Sequence, residues 1–279
     1  MRARASAPSE DRPDLPADLL RKVRRIEIST NRLVDQGVAG DYHSVFRGRG
    51  VEFSEVRPYQ PGDDIRSIDW NVTARLGEPY VKQFVEERDL NIFVVVDVSG
   101  SLSFGSRAIL KRELAAEIAA LLSFAAIRNQ DRVGAALIAE DLELFLRPER
   151  RRNHVLRMAR DILSWPAAGT TDLDRGLRSV LRNLKQRSVL FVISDFVETS
   201  YAASIKAAAA RHDVILVELV DPRDHEIPST APLVLRDAET GELQVVSGSS
   251  WRRRVEERRR DERRELARLA RRLGLDLLV

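Results

Sequence analysis

Asn91-Ile92-Phe93-Val94-Val95-Val96, followed at once by Asp97-Val98-Ser99-Gly100-Ser101, is the stretch whose reading decides the fold. The first six residues form an unbroken apolar, β-branched run, the pattern of a strand covered on both faces. Small and oxygen-bearing residues then end it. Downstream the period changes from strand to helix, and a helix is expected over 106–129, where Leu110, Leu114, Ile118, Leu121, Leu122 and Ala125 recur at helical spacing. Segments 131–139 and 142–146 read as two strands meeting at Glu140-Asp141, and 154–163 and 172–184 as helices. A second buried strand over 188–194, an alanine-rich helix over 201–211 and a third buried strand over 213–220 continue the alternation. Strands and helices alternating at this length require βαβ crossovers. The expected fold is therefore α/β, with a doubly wound, mainly parallel sheet flanked by helices. A hairpin over 233–246 turning at Glu239-Thr240-Gly241, a long Arg/Glu helix over 251–273 and a last strand over 275–279 complete the reading.

Working back from residue 91, the pattern differs. Residues 1–15 hold Arg, Ser, Pro and Asp without periodicity and are expected to be a disordered tail. A short helix is expected over 19–28, with Leu19, Leu20, Val23 and Ile26 near one face. Residues 37–88 are punctuated by glycine and proline between short extended runs such as 80–85, which marks a small β-rich appendage. The expected organisation is thus a tail (1–15), an N-terminal helix with the β-rich segment (16–88), and an α/β domain with its C-terminal helix (89–279).

Composition bounds the chemistry. Of 279 residues 43% are hydrophobic, ample for a core, and 32% are charged, yet the net charge is only +3. Such a near balance argues only weakly for an anionic partner. The absence of cysteine excludes disulfides, thiolate zinc sites and cysteine nucleophiles. No secretory signal stands at the start, and no apolar run approaches the roughly 20 residues that span a bilayer. A cytoplasmic protein without a transmembrane segment is expected.

Three oxygen-bearing clusters fall at the carboxyl ends of expected strands or in loops on that side. They are Asp97-Val98-Ser99-Gly100-Ser101, Gly169-Thr170-Thr171-Asp172 and Ser194-Asp195-Phe196. Parallel strands bring such loops to one edge of the sheet, where ligands of open α/β sheets sit. All the donors are hard oxygens, which suit Mg²⁺ or Mn²⁺ in six-coordinate geometry. No histidine lies in these loops, which argues against zinc. The bland reading of the first cluster is an Asp turn with serine caps.

The combination resembles a von Willebrand factor A (vWA) domain with an intact metal-ion-dependent adhesion site (MIDAS), whose pattern is Asp-x-Ser-x-Ser, then a separate Thr, then a separate Asp. Asp97, Ser99 and Ser101 match the first part, Thr171 the second, with its neighbour Thr170 as the alternative, and Asp195 the third. The resemblance implies that the serine hydroxyls bind the metal directly and the Thr directly or through water. It also implies that the aspartates act largely through water and that a partner's Asp or Glu fills the open position.

A narrower resemblance rests on Gly48-Arg49-Gly50-Val51-Glu52-Phe53-Ser54-Glu55-Val56-Arg57-Pro58-Tyr59, on Pro61-Gly62-Asp63-Asp64-Ile65-Arg66-Ser67-Ile68-Asp69-Trp70, and on Thr73-Ala74-Arg75. These runs are similar to the signature of the DUF58 family, which precedes a vWA-like domain. That resemblance implies a non-enzymatic adaptor or assembly chaperone acting with a MoxR-type AAA+ ATPase. The competing functions are a Mg²⁺- or Mn²⁺-dependent hydrolase of phosphoesters, and nucleic-acid binding through the Arg-rich helix over 251–273. Against the latter, acidic residues are interleaved so that Glu256, Asp261 and Glu265 face Arg260, Arg264 and Arg268, the pattern of a solvated helix face. Trp251, Val255, Leu266, Leu269 and Leu273 would be its buried stripe. His43, His154, His212 and His225 stand in no catalytic order and read as structural or exposed. Asp63, Asp64, Arg66, Asp69 and Arg75 read as turn and ion-pair residues, and Trp70 as a buried anchor.

Overall fold

The computed structural model describes residues 17–34, 49–61, 63–87, 90–106, 109–166, 171–198, 200–224, 233–236, 243–246 and 249–279. The tail over 1–15, Gly37, Gly40, Gly48, Gly62, Thr170, His43, His225 and the turn at Glu239-Thr240-Gly241 lie outside the described residues. The chain divides into two compact units, one of residues 39–90 and one of 91–279 together with 1–38.

The smaller unit pairs β1 (Arg49–Pro58) with β2 (Tyr80–Glu87) in an antiparallel ribbon with register shifts typical of bulges. Between them come a 3₁₀ turn (Ile65–Ser67) and a short helix, α2 (Trp70–Leu76). The acidic residues of this segment shape it. Asp64 accepts from the Arg66 N–H, and Asp69 caps α2 through the Asn71 and Val72 N–H groups. Asp63 takes a bidentate pair from Arg57 at 2.8 and 2.7 Å. Gly77, at φ 80°, ends α2 in the left-handed region. The expected β-rich segment is this ribbon, and an Asp cap and a glycine stop frame the short helix between its strands. One expectation is corrected. Trp70 is 67% exposed rather than an anchor, since α2 buries none of its residues.

In the larger unit, α1 spans Ala17–Leu33. It extends well past the expected 28 because Ile26 and Thr30 are buried and the Thr30 hydroxyl folds back onto the Ile26 carbonyl. This helix lies against α3 (Lys111–Arg128) and α4 (Arg152–Ser164). It therefore belongs with the large sheet and not with the segment it precedes.

That sheet contains β3 (Asn91–Asp97), β4 (Arg132–Ile138), β5 (Leu142–Glu149), β6 (Val189–Ser194), β7 (Asp213–Glu218) and β10 (Asp276–Leu278). Their spatial order is β10-β7-β6-β3-β4-β5, and every neighbouring pair is parallel except β4 and β5. Counted from β3, this is the doubly wound order 3-2-1-4-5-6 with an antiparallel third strand at one edge. The order reverses between β3 and β6, which makes the ends of those strands the place where such sheets bind ligands.

Alternate residues of β3 enter opposite layers. Phe93 and Val95 join a core with Leu173, Leu177 and Val180 of α5 (Leu173–Asn183), Ile205 of α6 (Ala202–Ala209), and Leu266 and Leu269 of α7 (Ser249–Leu273). On the other side α3 presents Ala115, Ala116, Ala119 and Ala120, all fully buried, so its backbone approaches the sheet closely. Gly134 is required by a similar closeness: a Cβ there would lie 2.7 Å from the Phe93 ring and 2.9 Å from the Leu146 carbonyl. The hairpin forms as β8 (Leu233–Arg236) against β9 (Leu243–Val246).

In α7 the expected apolar stripe is buried only toward its C-terminal half. Leu266 and Leu269 enter the core, whereas Trp251 and Val255 are half-buried. The expected Asp261–Arg264 pair forms at 3.3 Å. The histidines described, His154 and His212, are buried, and burial lowers the pKa of each.

Candidate functional site

Register places the first site residue. Val96 of β3 stands opposite Ile193 of β6, so one residue further on Asp97 and Ser194 are side by side where the sheet order reverses. Asp97 is 1% exposed. Its Oδ1 accepts from the Ser99 N–H at 2.9 Å and its Oδ2 from the Ser194 hydroxyl at 2.8 Å. The first bond closes an Asx turn that sends the chain back over the strand end. Burial pushes the Asp97 carboxyl up to about 6, and the nearby charge of Asp195 pushes the same way. The Ser99 and Ser194 bonds oppose both effects.

The Asx turn brings the two serine hydroxyls together. Ser99 Oγ lies 3.1 Å from Ser101 Oγ, and Ser99 is wholly buried. Arg112, half a turn into α3, braces this loop by donating to the Val98 carbonyl at 3.0 Å and to the Trp165 carbonyl. Burial lowers its pKa, while the charge of Asp97 favours its ionised form.

The loop before α5 is tied to the same edge. The Asp172 N–H donates to Ala139 O at 3.0 Å, just past β4, and Val98 N–H donates to Ile138 O at 2.8 Å. Asp172 caps α5 through the Arg175 N–H at 2.8 Å. The Leu173 N–H donates to Glu198 at 2.8 Å, linking this loop to the one after β6. Thr171 stands in this loop and lines the same hollow as Ser101 and Asp195.

After β6 the chain turns sharply. Phe196 has φ 47°, the left-handed region that bulky residues avoid, at a cost of roughly 1–2 kcal/mol. Its N–H donates to Ser194 Oγ at 3.1 Å, and its buried ring meets Tyr201 edge-on at 5.4 Å. The turn leaves Asp195 at the strand mouth. Ser101, Thr171, Ser194 and Asp195, with Glu198 and Arg258 at the rim, line one hollow. The structure thus gathers Ser101, Thr171 and Asp195 around a shared space, with Asp97 and Ser99 bonded to its inner wall. Among the described residues, no three His, Asp or Glu side chains cluster as a metal-binding group. The donors that meet here are hydroxyls flanked by two carboxylates.

Several contacts beside the candidate site carry no signal in the sequence. Ser194 precedes Asp195, but its bond to Asp97 depends on strand register. Lys111, the first residue of α3, is 5% exposed, and its ammonium lies 3.2 Å from Asp195 Oδ2 and 2.7 Å from Asp224 Oδ2. Asp221, after β7, accepts from the Ser106 N–H at 2.8 Å and from its hydroxyl. Helix α3 begins at Lys111 rather than at the expected 106. These contacts span distant parts of the chain, so only the fold discloses them.

Residues 55–265 match the profile of a family described as "Protein of unknown function DUF58". An uncharacterized protein of Mycobacterium tuberculosis is 38% identical over 242 residues, covering 85% of this chain and 75% of its own. Among solved structures, an aerotolerance-related membrane protein from Bacteroides fragilis superposes with a TM-score of 0.44 at 15% identity, covering 68% of this chain and 90% of that one. The VWA domain of SpRpn10 superposes with a TM-score of 0.37 at 13% identity, covering 48% and 77%. No helix among the described residues is long and apolar enough to cross a membrane.

Proposed function

The chain belongs to the DUF58 family and carries a vWA-like fold, and on that premise we propose that it is a non-catalytic, metal-dependent protein-interaction module. Ser99, Ser101 and Thr171 would supply neutral oxygens to one Mg²⁺ or Mn²⁺. Asp97 and Asp195 would orient its waters and balance its charge from behind. The bound cation supplies an electron-poor centre for an incoming carboxylate. The protein orders the hydroxyls, keeps Asp97 dry and leaves the hollow open toward a partner.

One observation carries this reading. The Ser99 and Ser101 hydroxyl oxygens lie 3.1 Å apart beside a buried carboxylate at the sheet's reversal point. Adjacent ligands of an octahedral Mg²⁺, each at about 2.0–2.1 Å, stand about 3 Å apart. Ser99 precedes the 3₁₀ turn without capping it through its side chain, and its hydroxyl instead hydrogen-bonds that of Ser101.

The partner would present an Asp or Glu. The family resemblance points to a MoxR-type AAA+ ATPase, with this chain as its cytoplasmic adaptor or assembly chaperone. Affinity capture of such an ATPase on the immobilised chain tests this. Capture is expected to fall at least tenfold when Mg²⁺ is replaced by excess EDTA, and likewise with Asp97→Asn in Mg²⁺. Capture that persists unchanged in EDTA contradicts the proposal.

A further inference from the structure

We infer that Lys111 is a built-in counter-cation that holds down the divalent-metal affinity of this site, and that Asp224 tunes it by drawing the ammonium away from Asp195. The inference rests on the metal reading above and concerns how the same site is regulated.

The placement of Lys111 is unusual on three counts. Its side chain is 5% exposed, so water does not solvate the ammonium and carboxylates must. It opens helix α3, where the helix dipole favours acidic residues and disfavours a cation. Its two partners come from loops after different strands, Asp195 after β6 and Asp224 after β7. A lysine held there against the dipole has a specific counter-charge to serve, and one of its two partners is the aspartate that would balance the metal. Cation and metal therefore compete for the same negative charge, and in a poorly solvated site like charges repel strongly. Asp224, at 2.7 Å against 3.2 Å for Asp195, holds the ammonium more closely. That leaves part of the Asp195 charge available to a metal.

Calorimetric titration of Mn²⁺ into the full chain separates this from a merely structural ion pair. Lys111→Met is expected to bind Mn²⁺ at least tenfold more tightly than wild type, and Lys111→Arg within about threefold of it. Asp224→Asn is expected to bind severalfold more weakly, because the ammonium then rests wholly on Asp195. Should Lys111→Met fail to fold, Asp224→Asn still decides the matter. A structural ion pair would lower the unfolding temperature of Lys111→Met and Asp224→Asn alike and leave Mn²⁺ affinity unmoved, and that result overturns the inference. Tighter binding by Asp224→Asn overturns it too. If wild type binds Mn²⁺, Asp97→Asn does not, and Lys111→Met fails to gain, only this inference falls. If no variant binds Mn²⁺, the metal reading falls and this inference with it.

Discussion

Replacing Asp97 with Asn is expected to stabilise the metal-free protein and to abolish its response to divalent metal. Burial and the charge of Asp195 raise the Asp97 carboxyl from 3.8 to about 6. A raised folded-state pKa means that between those two values the native chain holds a proton that the unfolded chain has released. Stability from this group is therefore full below about pH 4, falls as pH rises toward 6 and stays lowered above it. A shift of about two units at roughly 1.4 kcal/mol each makes the penalty near 3 kcal/mol at neutral pH. Asn has the same shape without the charge. Its carbonyl can accept from the Ser99 N–H, and its amide faces the Ser194 hydroxyl, which now accepts. Allowing for imperfect replacement of that bond, a gain of about 1–3 kcal/mol is expected at pH 7.5 in EDTA. Urea denaturation followed by circular dichroism from pH 4 to 8 measures it, the difference between the two proteins isolating Asp97 from other titrating groups. Excess Mg²⁺ should then stabilise wild type, by about 2.7 kcal/mol at a hundred times Kd, and leave Asp97→Asn unmoved. If the Asn variant is less stable than wild type in EDTA at pH 7.5, the reasoning that burial strains this carboxylate is refuted.

Other substitutions probe the frame of the site. Ser194→Ala removes a donor to Asp97 and an acceptor for the Phe196 N–H, both buried, and should cost about 1–3 kcal/mol in the same denaturation assay. Gly134→Ala forces a methyl against the Phe93 ring and the Leu146 carbonyl and should cost about 1–3 kcal/mol, read as a lower unfolding temperature. Arg112→Met leaves the Val98 and Trp165 carbonyls without their donor. A loss of at least about 2 kcal/mol is expected, with weaker Mn²⁺ binding because the Ser99–Ser101 loop is no longer braced.

The strand over 91–96 could be read from sequence because a strand covered on both faces has no polar face to blur it. The same holds for the strands ending at Ser194 and Glu218, and alternation of these with helices forces the crossover topology. Asp97, Ser99, Ser101 and Asp195 were visible because each follows such a strand directly. Thr171, with Thr170 as the alternative, was legible only through the resemblance to the vWA pattern, in the loop before the helix that Asp172 caps. What sequence could not supply is the pairing across loops. Lys111 meets Asp195 and Asp224, and Ser194 meets Asp97, through sheet register, which no local pattern encodes. Local reasoning also misjudged Trp70, whose size suggested burial although α2 buries nothing. It stopped α1 short because the buried Thr30 is polar. It joined α1 to the β-rich segment by adjacency alone, whereas α1 packs on α3 and α4.

The central claim is that one divalent cation is held by hydroxyls from loops that meet at the sheet's reversal point. Anomalous scattering from crystals grown with Mn²⁺ tests it most directly. A single strong peak is expected within coordination distance of Ser99 Oγ and Ser101 Oγ, on the side facing Thr171, and absent from a Ser99→Ala, Ser101→Ala double variant. Manganese located elsewhere on the chain, or a peak undiminished in the double variant, would contradict it.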